Sequence, residues 1–153
     1  MTEAQGYMDA PTQGAQWAIG IDEVNTVTVK IGDRGVTYSN VVAQESGLNL
    51  INAGQAAVGN PNGAVAFGGP FGVWSDIPLD PQRQIHEGQH IAEQEDVGWL
   101  AWHSAYQAQY WTGVFLYGDM GSAYDFHSAE NRARAAAGQA TYDPGLDDLW
   151  FWP

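Results

Sequence analysis

The chain contains no cysteine and almost no positive charge. The first absence excludes disulfides, thiolate metal sites and a thiol nucleophile, so any transition-metal site must be built from His, Asp and Glu. The second is nearly as restrictive. Five Lys plus Arg, with Lys30 the single lysine, stand against eighteen Asp plus Glu, for a net charge of −13. Nucleic acid and anionic membranes would repel such a chain, so neither is predicted as a partner. The acidic excess reads first as a solvated surface, with a cationic substrate or a bound cation as the sharper alternatives. Long apolar runs are missing too. No stretch approaches the roughly 18 residues that a membrane span needs. The N-terminus "MTEAQGYMDAPTQGAQ" has no basic segment followed by an apolar one, so it does not read as a secretory signal, and a soluble protein is predicted. "GGPFG" at 68–72 lacks the lysine of a phosphate-binding loop, and no serine occupies a nucleophile elbow.

What is present suits one packed domain. The chain has 153 residues, 44% hydrophobic and 15% charged, enough for one core and too few for two. Residues 1–16 read as a flexible N-terminal arm and 17–153 as a single domain. "WAIGI" (17–21) is a possible first strand. "NTVTVKIG" (25–32) and "VTYSNVVA" (36–43) alternate in hydrophobicity and predict a hairpin around "DRG" (33–35). "GLNLINAGQAAVG" (47–59) is ambiguous, and "NPNG" (60–63) is a turn. "AVAFGG" (64–69) and "FGVWSDI" (71–77) read as short strands. Asp80-Pro81 then starts a helix, with Asp as N-cap and Pro in the first turn, that runs to about Gly98. Residues 99–118 place apolar side chains at 99, 102, 106, 110 and 114, which is helical spacing. "DMGSAYDF" (119–126) reads as a loop, and "HSAENRARAAAG" (127–138) as a short helix closed by Gly138. The layout is α+β: antiparallel strands first, helices after. Of the seven tryptophans, Trp99, Trp102 and Trp111 are expected in the core. Trp150 and Trp152, in the tail "LWFWP", either fold back or dock on a partner. Arg132 and Arg134 are read as structural ion-pair residues.

The chemistry is concentrated in "QIHEGQHIAEQED" (84–96). His86 and His90 are four residues apart on a helix, so they share one face and can offer two imidazoles to one ion. Glu87 lies roughly 100° round the helix. From there it reaches a metal-bound water rather than the ion, and can take that water's proton during attack on a carbonyl. A catalytic zinc site needs a third protein ligand and an open position. His103 lies among Trp99, Trp102 and Tyr106 on a packing helix, and Asp125 and His127 border the last helix. Glu130 is preferred, because Ala129, Ala133, Ala136 and Ala137 let its helix approach the metal helix closely.

"HEGQH", an aromatic-rich helix and a short helix carrying "AENRARAAAG" together resemble the gluzincin branch of the zincin-like zinc metalloproteases, most closely its small single-domain forms. The resemblance covers about residues 64–138. It implies zinc held by His86, His90 and Glu130, with Glu87 as general base, in a metallopeptidase acting on a peptide or protein substrate. It also implies an edge strand that pairs with substrate, for which "AVAFGG" is the candidate, and a transition-state-stabilising Tyr or His, for which Tyr124, His127 and Tyr142 are open. The metzincin continuation, a Gly and a third His soon after His90, is absent. The alternative is a non-catalytic module of the same fold in a larger assembly, such as a phage or secretion-type particle, with the aromatic tail as its protein contact. A third possibility is an aromatic binding surface, with the His pair incidental.

Overall fold

The computed structural model describes residues 21–43, 66–69, 72–75 and 77–142. The readings made for the N-terminal arm, for 47–63 and for the aromatic tail lie outside these residues. Among the described residues four strands, β1 (Ile21–Ile31), β2 (Arg34–Ala43), β3 (Ala66–Gly69) and β4 (Gly72–Ser75), precede four helices. These are α1 (Pro81–Val97), α2 (Trp99–Tyr117), α3 (Met120–Asp125) and α4 (Ser128–Ala136). The protein is therefore α+β, as its sequence pattern implies, and no helix among the described residues is long and apolar enough to cross a membrane.

β1 and β2 form the expected hairpin, with Ile31 opposite Arg34, so the turn falls on Gly32-Asp33, one residue before the predicted site. Val27 pairs with Tyr38 and Val29 with Val36, which puts the alternating apolar residues on one face. The sheet order is β1-β2-β4-β3, and here the structure corrects the expectation of purely antiparallel strands. β4 runs parallel to β2, and β3 is antiparallel to β4 at the sheet edge. A parallel neighbour needs a crossover rather than a tight turn. The choice between the two leaves no local sequence mark. Beside β4, residues Ser39 to Val42 of β2 are all buried. There Asn40 donates to the Val73 carbonyl and the Ser75 hydroxyl and accepts from the Leu79 N–H. The network ties the sheet to the segment that enters α1.

α1 starts where the sequence places it: Asp80 accepts from the Arg83 N–H, and Pro81 opens the first turn. The helix lies between two apolar clusters. On the sheet side are Val27, Val36, Tyr38, Val73, Leu79 and Ala92. On the other side are Trp102, Tyr106, Tyr110, Ala123 and Ala129. Gly88 makes the sheet-side approach possible, since a Cβ there would collide with Val29 Cγ2. Tyr38 adds a hydrogen bond to the Gln84 carbonyl at 2.6 Å.

Gly98 alone separates α1 from α2, with φ 92° and ψ 142°, a backbone conformation that side chains disfavour. On α2 the predicted stripe is only partly inward. Trp102, Tyr106 and Tyr110 are buried, whereas Trp99 and Trp111 are 44% and 50% exposed, which corrects their assignment to the core. The helix is apolar nearly all round, so periodicity could not rank its faces. The segment 119–126, read as a loop, contains α3, capped by Asp119 on the Ser122 N–H. Its six residues are too few for periodicity to register.

Candidate metal centre

On α1 the Gly88 backbone and the Ala92 side chain face the sheet, and His86, His90 and Glu93 lie round the opposite side. There they meet α4, whose docking uses the small residues noted in the sequence: Ala129 and Ala133 are both fully buried. Ala136 is exposed and takes no part in that approach. Five polar contacts draw α1 and the α4 segment together. Gln82 donates to the Ala137 carbonyl at 3.2 Å, and His86 Nδ1 meets Gln139 Oε1 at 2.8 Å. His86 and His90 both meet Glu130, and Arg132 makes a two-pronged pair with Glu93 at 2.7 and 3.1 Å. Glu93 also accepts from the Trp102 indole at 3.0 Å and from Gln89 at 2.9 Å. Arg134 pairs with Asp125 by backbone and side chain. Both arginines thus have the structural ion pairs expected of them.

The result is a buried cluster of His86, His90 and Glu130, whose ligand atoms all lie within 4.8 Å of one another. His86 Nε2 is 3.2 Å from Glu130 Oε2, and His90 Nε2 is 3.4 Å from Glu130 Oε1. Both imidazoles turn the same nitrogen toward the carboxylate, and the rings meet edge-on with centroids 5.0 Å apart. Tyr106 of α2 donates to Glu130 Oε1 at 2.7 Å. Hydrogen bonds of this outer kind orient the groups that a metal would bind.

Charge is arranged to match. Burial opposes ionisation of Glu130, but His90 and His86 hold its carboxyl well below the usual range. For His86, burial pulls the pKa down. The hydrogen bond to Glu130 and the negative charge of Glu87 outweigh it and lift the imidazole to about 9. Glu87, part-buried beside the cluster, is raised by burial, with His90 and His86 pulling the other way. Burial, then Glu130, pushes the Tyr106 phenol up. Tyr124 is raised chiefly by the charge of Glu130 and also feels Glu87, so its hydroxyl borders the cluster.

The remaining candidates fall elsewhere. His127 caps α4: its Nδ1 accepts from the Ala129 N–H, and its Nε2–H donates to the Tyr106 carbonyl at 2.9 Å. With both nitrogens committed, it is a strut, and burial depresses it to about 4. Tyr142 is 47% exposed, with the Arg134 guanidinium over its ring. His103 packs against Trp99 and Trp102, outside the cluster. Sequence reasoning missed Tyr106 and Gln139. The first is indistinguishable from core on an aromatic helix, and the second follows the Gly138 turn with no periodic signal.

Two imidazole nitrogens and a carboxylate, all buried, with Gln139 orienting His86 and Tyr106 orienting Glu130, form a donor set that can hold a metal ion. No protein-family model, curated protein or solved structure matches this chain.

Proposed function

We propose that this protein is a small zincin-like, zinc-dependent peptidase, with His86, His90 and Glu130 as ligands and Glu87 as general base. The observation that carries the reading is the convergence of Glu130 with the two histidines within 4.8 Å. H-E-x-x-H spacing alone says nothing about a residue forty positions further on. Catalytic zinc takes three protein ligands and keeps a position open, and the cluster offers three of the preferred types. Bound there, zinc supplies Lewis acidity, polarising a carbonyl and lowering the pKa of a coordinated water toward ~7.

The chain's own groups do the rest. Glu87, raised by burial, takes a proton from the attacking water and delivers it to the leaving amine. Tyr106 and Gln139 keep Glu130 and His86 aimed. Tyr124 is the phenol best placed to hydrogen-bond the carbonyl oxygen as it gains charge. β3 lies at the sheet edge, where an extended peptide backbone can add as a further strand. The chain's −13 charge favours basic peptides over acidic ones.

Metal analysis and peptide cleavage, run on three proteins, test the proposal. The wild type should bind one zinc and cleave. Glu87→Gln should bind the same zinc and cleave at least ~100-fold more slowly. Glu130→Ala should lose the zinc. A wild type that retains no metal after zinc loading and dialysis would sink the reading.

One observation favours the second reading, a structural module with the metal as a staple. α2 has no charged residue, and it exposes Leu100, Trp111, Phe115 and Leu116. An uncharged apolar face of this kind suits an assembly contact. Equal zinc in wild type and Glu87→Gln, with no cleavage by either, would select it.

A further inference from the structure

The two ligand histidines differ on the side away from the cluster. His86 Nδ1 is paired with Gln139 Oε1, whereas His90 Nδ1 is buried and has no hydrogen-bond partner among the described residues. An imidazole that offers Nε2 to a metal carries its proton on Nδ1, and that N–H almost always donates to something. Here it is a buried donor in need of an acceptor. Gln94 Nε2, a donor one turn further along α1, and His103 Nε2 on α2 have the same deficit, as do Gln109 Nε2 and the Tyr110 hydroxyl further along α2. Trp102 touches both imidazoles. Its ring meets His90 edge-on with centroids 5.2 Å apart, and meets His103 edge-on at 4.9 Å.

The donors and acceptors close with one molecule. His90 Nδ1–H and Gln94 Nε2–H are two donors, and His103 Nε2, with its proton on Nδ1, is one acceptor. A water accepts the two hydrogen bonds and donates the third, and about three partners is what a buried water usually has. A direct bond between the imidazoles would leave Gln94 unpaired.

We propose that His103 is a positioning residue of the metal centre: with Gln94 it holds a buried water that accepts from His90 Nδ1–H and keeps His90 Nε2 aimed at Glu130. Its effect on zinc rests on the metal reading above; the bridge itself does not. Trp102 is the wall against which both imidazoles are set. The His103 acceptor stands in for the Gln139 that serves His86, so each ligand histidine has its own outer support.

The experiment uses the full chain labelled with 15N in its imidazoles. Variants are His103→Leu, which removes the acceptor, His103→Gln, whose Oε1 restores one, and Gln94→Met, which removes the second donor at similar volume. Zinc affinity is read by chelator competition, and the His90 Nδ1–H by its nitrogen resonance and its exchange with solvent. His103→Leu should weaken zinc binding about tenfold or more and expose the His90 Nδ1–H to rapid exchange. His103→Gln should restore both readouts, and Gln94→Met should give the same changes in smaller measure. A folded His103→Leu with wild-type zinc affinity and a still-shielded Nδ1–H overturns the proposal. If His103→Leu does not fold, Gln94→Met decides it: no change in either readout overturns it. A wild type that takes no zinc removes the metal reading, and the Nδ1–H signal then decides the bridge alone.

Discussion

His127 and Glu130 share one turn of chain and carry opposite electrostatic constraints. His127 is buried with both nitrogens committed in the neutral form, and burial takes its pKa from 6.5 down to about 4. On acidification the unfolded chain takes up this proton first. The contribution of His127 is therefore fully present above about pH 6.5 and is lost as the pH falls to about 4, by on the order of 3 kcal/mol. Denaturant unfolding between pH 4 and 7 measures this, and His127→Gln should be less stable at pH 7 yet lose less on acidification. His86 has the opposite sign. Its pKa is raised to about 9, so in metal-free protein its contribution is present below about 6.5 and is lost as the pH climbs through 9. A metal must displace that proton. Zinc affinity should therefore rise with pH, by up to about tenfold per unit below 9, in calorimetric titration. A flat affinity between pH 6.5 and 8.5 would show that His86 is not protonated in the free site. At this scale the sequence was informative where chemistry imposes spacing: His86, Glu87 and His90 are legible from a five-position pattern, and Glu130 from the alanines beside it. The supports were not legible. A tyrosine that holds a carboxylate and a histidine that caps a helix look like any core aromatic and any loop histidine.

Elements carry these residues by how closely they pack. The x position after H-E is Gly88, and it lies against Val29, whose branched side chain is stiff. Alanine there would favour the isolated helix by about 1 kcal/mol. The collision should outweigh that gain, for a net loss of about 1–2 kcal/mol by overpacking, and the displaced α1 should weaken zinc binding as well. Thermal unfolding and zinc titration of Gly88→Ala check both effects, and a variant more stable than wild type would mean that α1 has room to move. Caps made the boundaries of α1 legible, Asp80-Pro81 at its start and Gly98 at its end. The short α3 and the parallel β2–β4 pair were not legible, because one is too brief for a period and the other is decided by residues far apart in sequence. The exposure of Trp99 and Trp111 was hidden for a third reason: a helix apolar on every side does not announce which side is covered.

Across the whole molecule, the order of strands and helices follows from the sequence, but the division of the interior does not. The pattern implies one core, and the structure sets two apolar clusters on either side of α1, with the polar centre at their boundary. A metal bound there would connect α1 to α4 across the interval from residue 90 to residue 130. At free zinc a hundred times its dissociation constant, the gain is about 2.7 kcal/mol, roughly 5–10 °C in Tm for a chain of this size. Differential scanning calorimetry with zinc and with chelator measures it, and Glu130→Ala should abolish the difference. Gly98 has the widest reach of any single position. His90 on α1 and Tyr106 on α2 each stand eight residues from it, one on either arm of an elbow. Each arm is about 12 Å long, so opening the elbow by about 5° would move the Glu130-holding hydroxyl about 1 Å from the histidine it serves. A side chain at Gly98 would meet open space, so its effect would be registered at the far ends of both arms, as leverage, rather than at the joint itself.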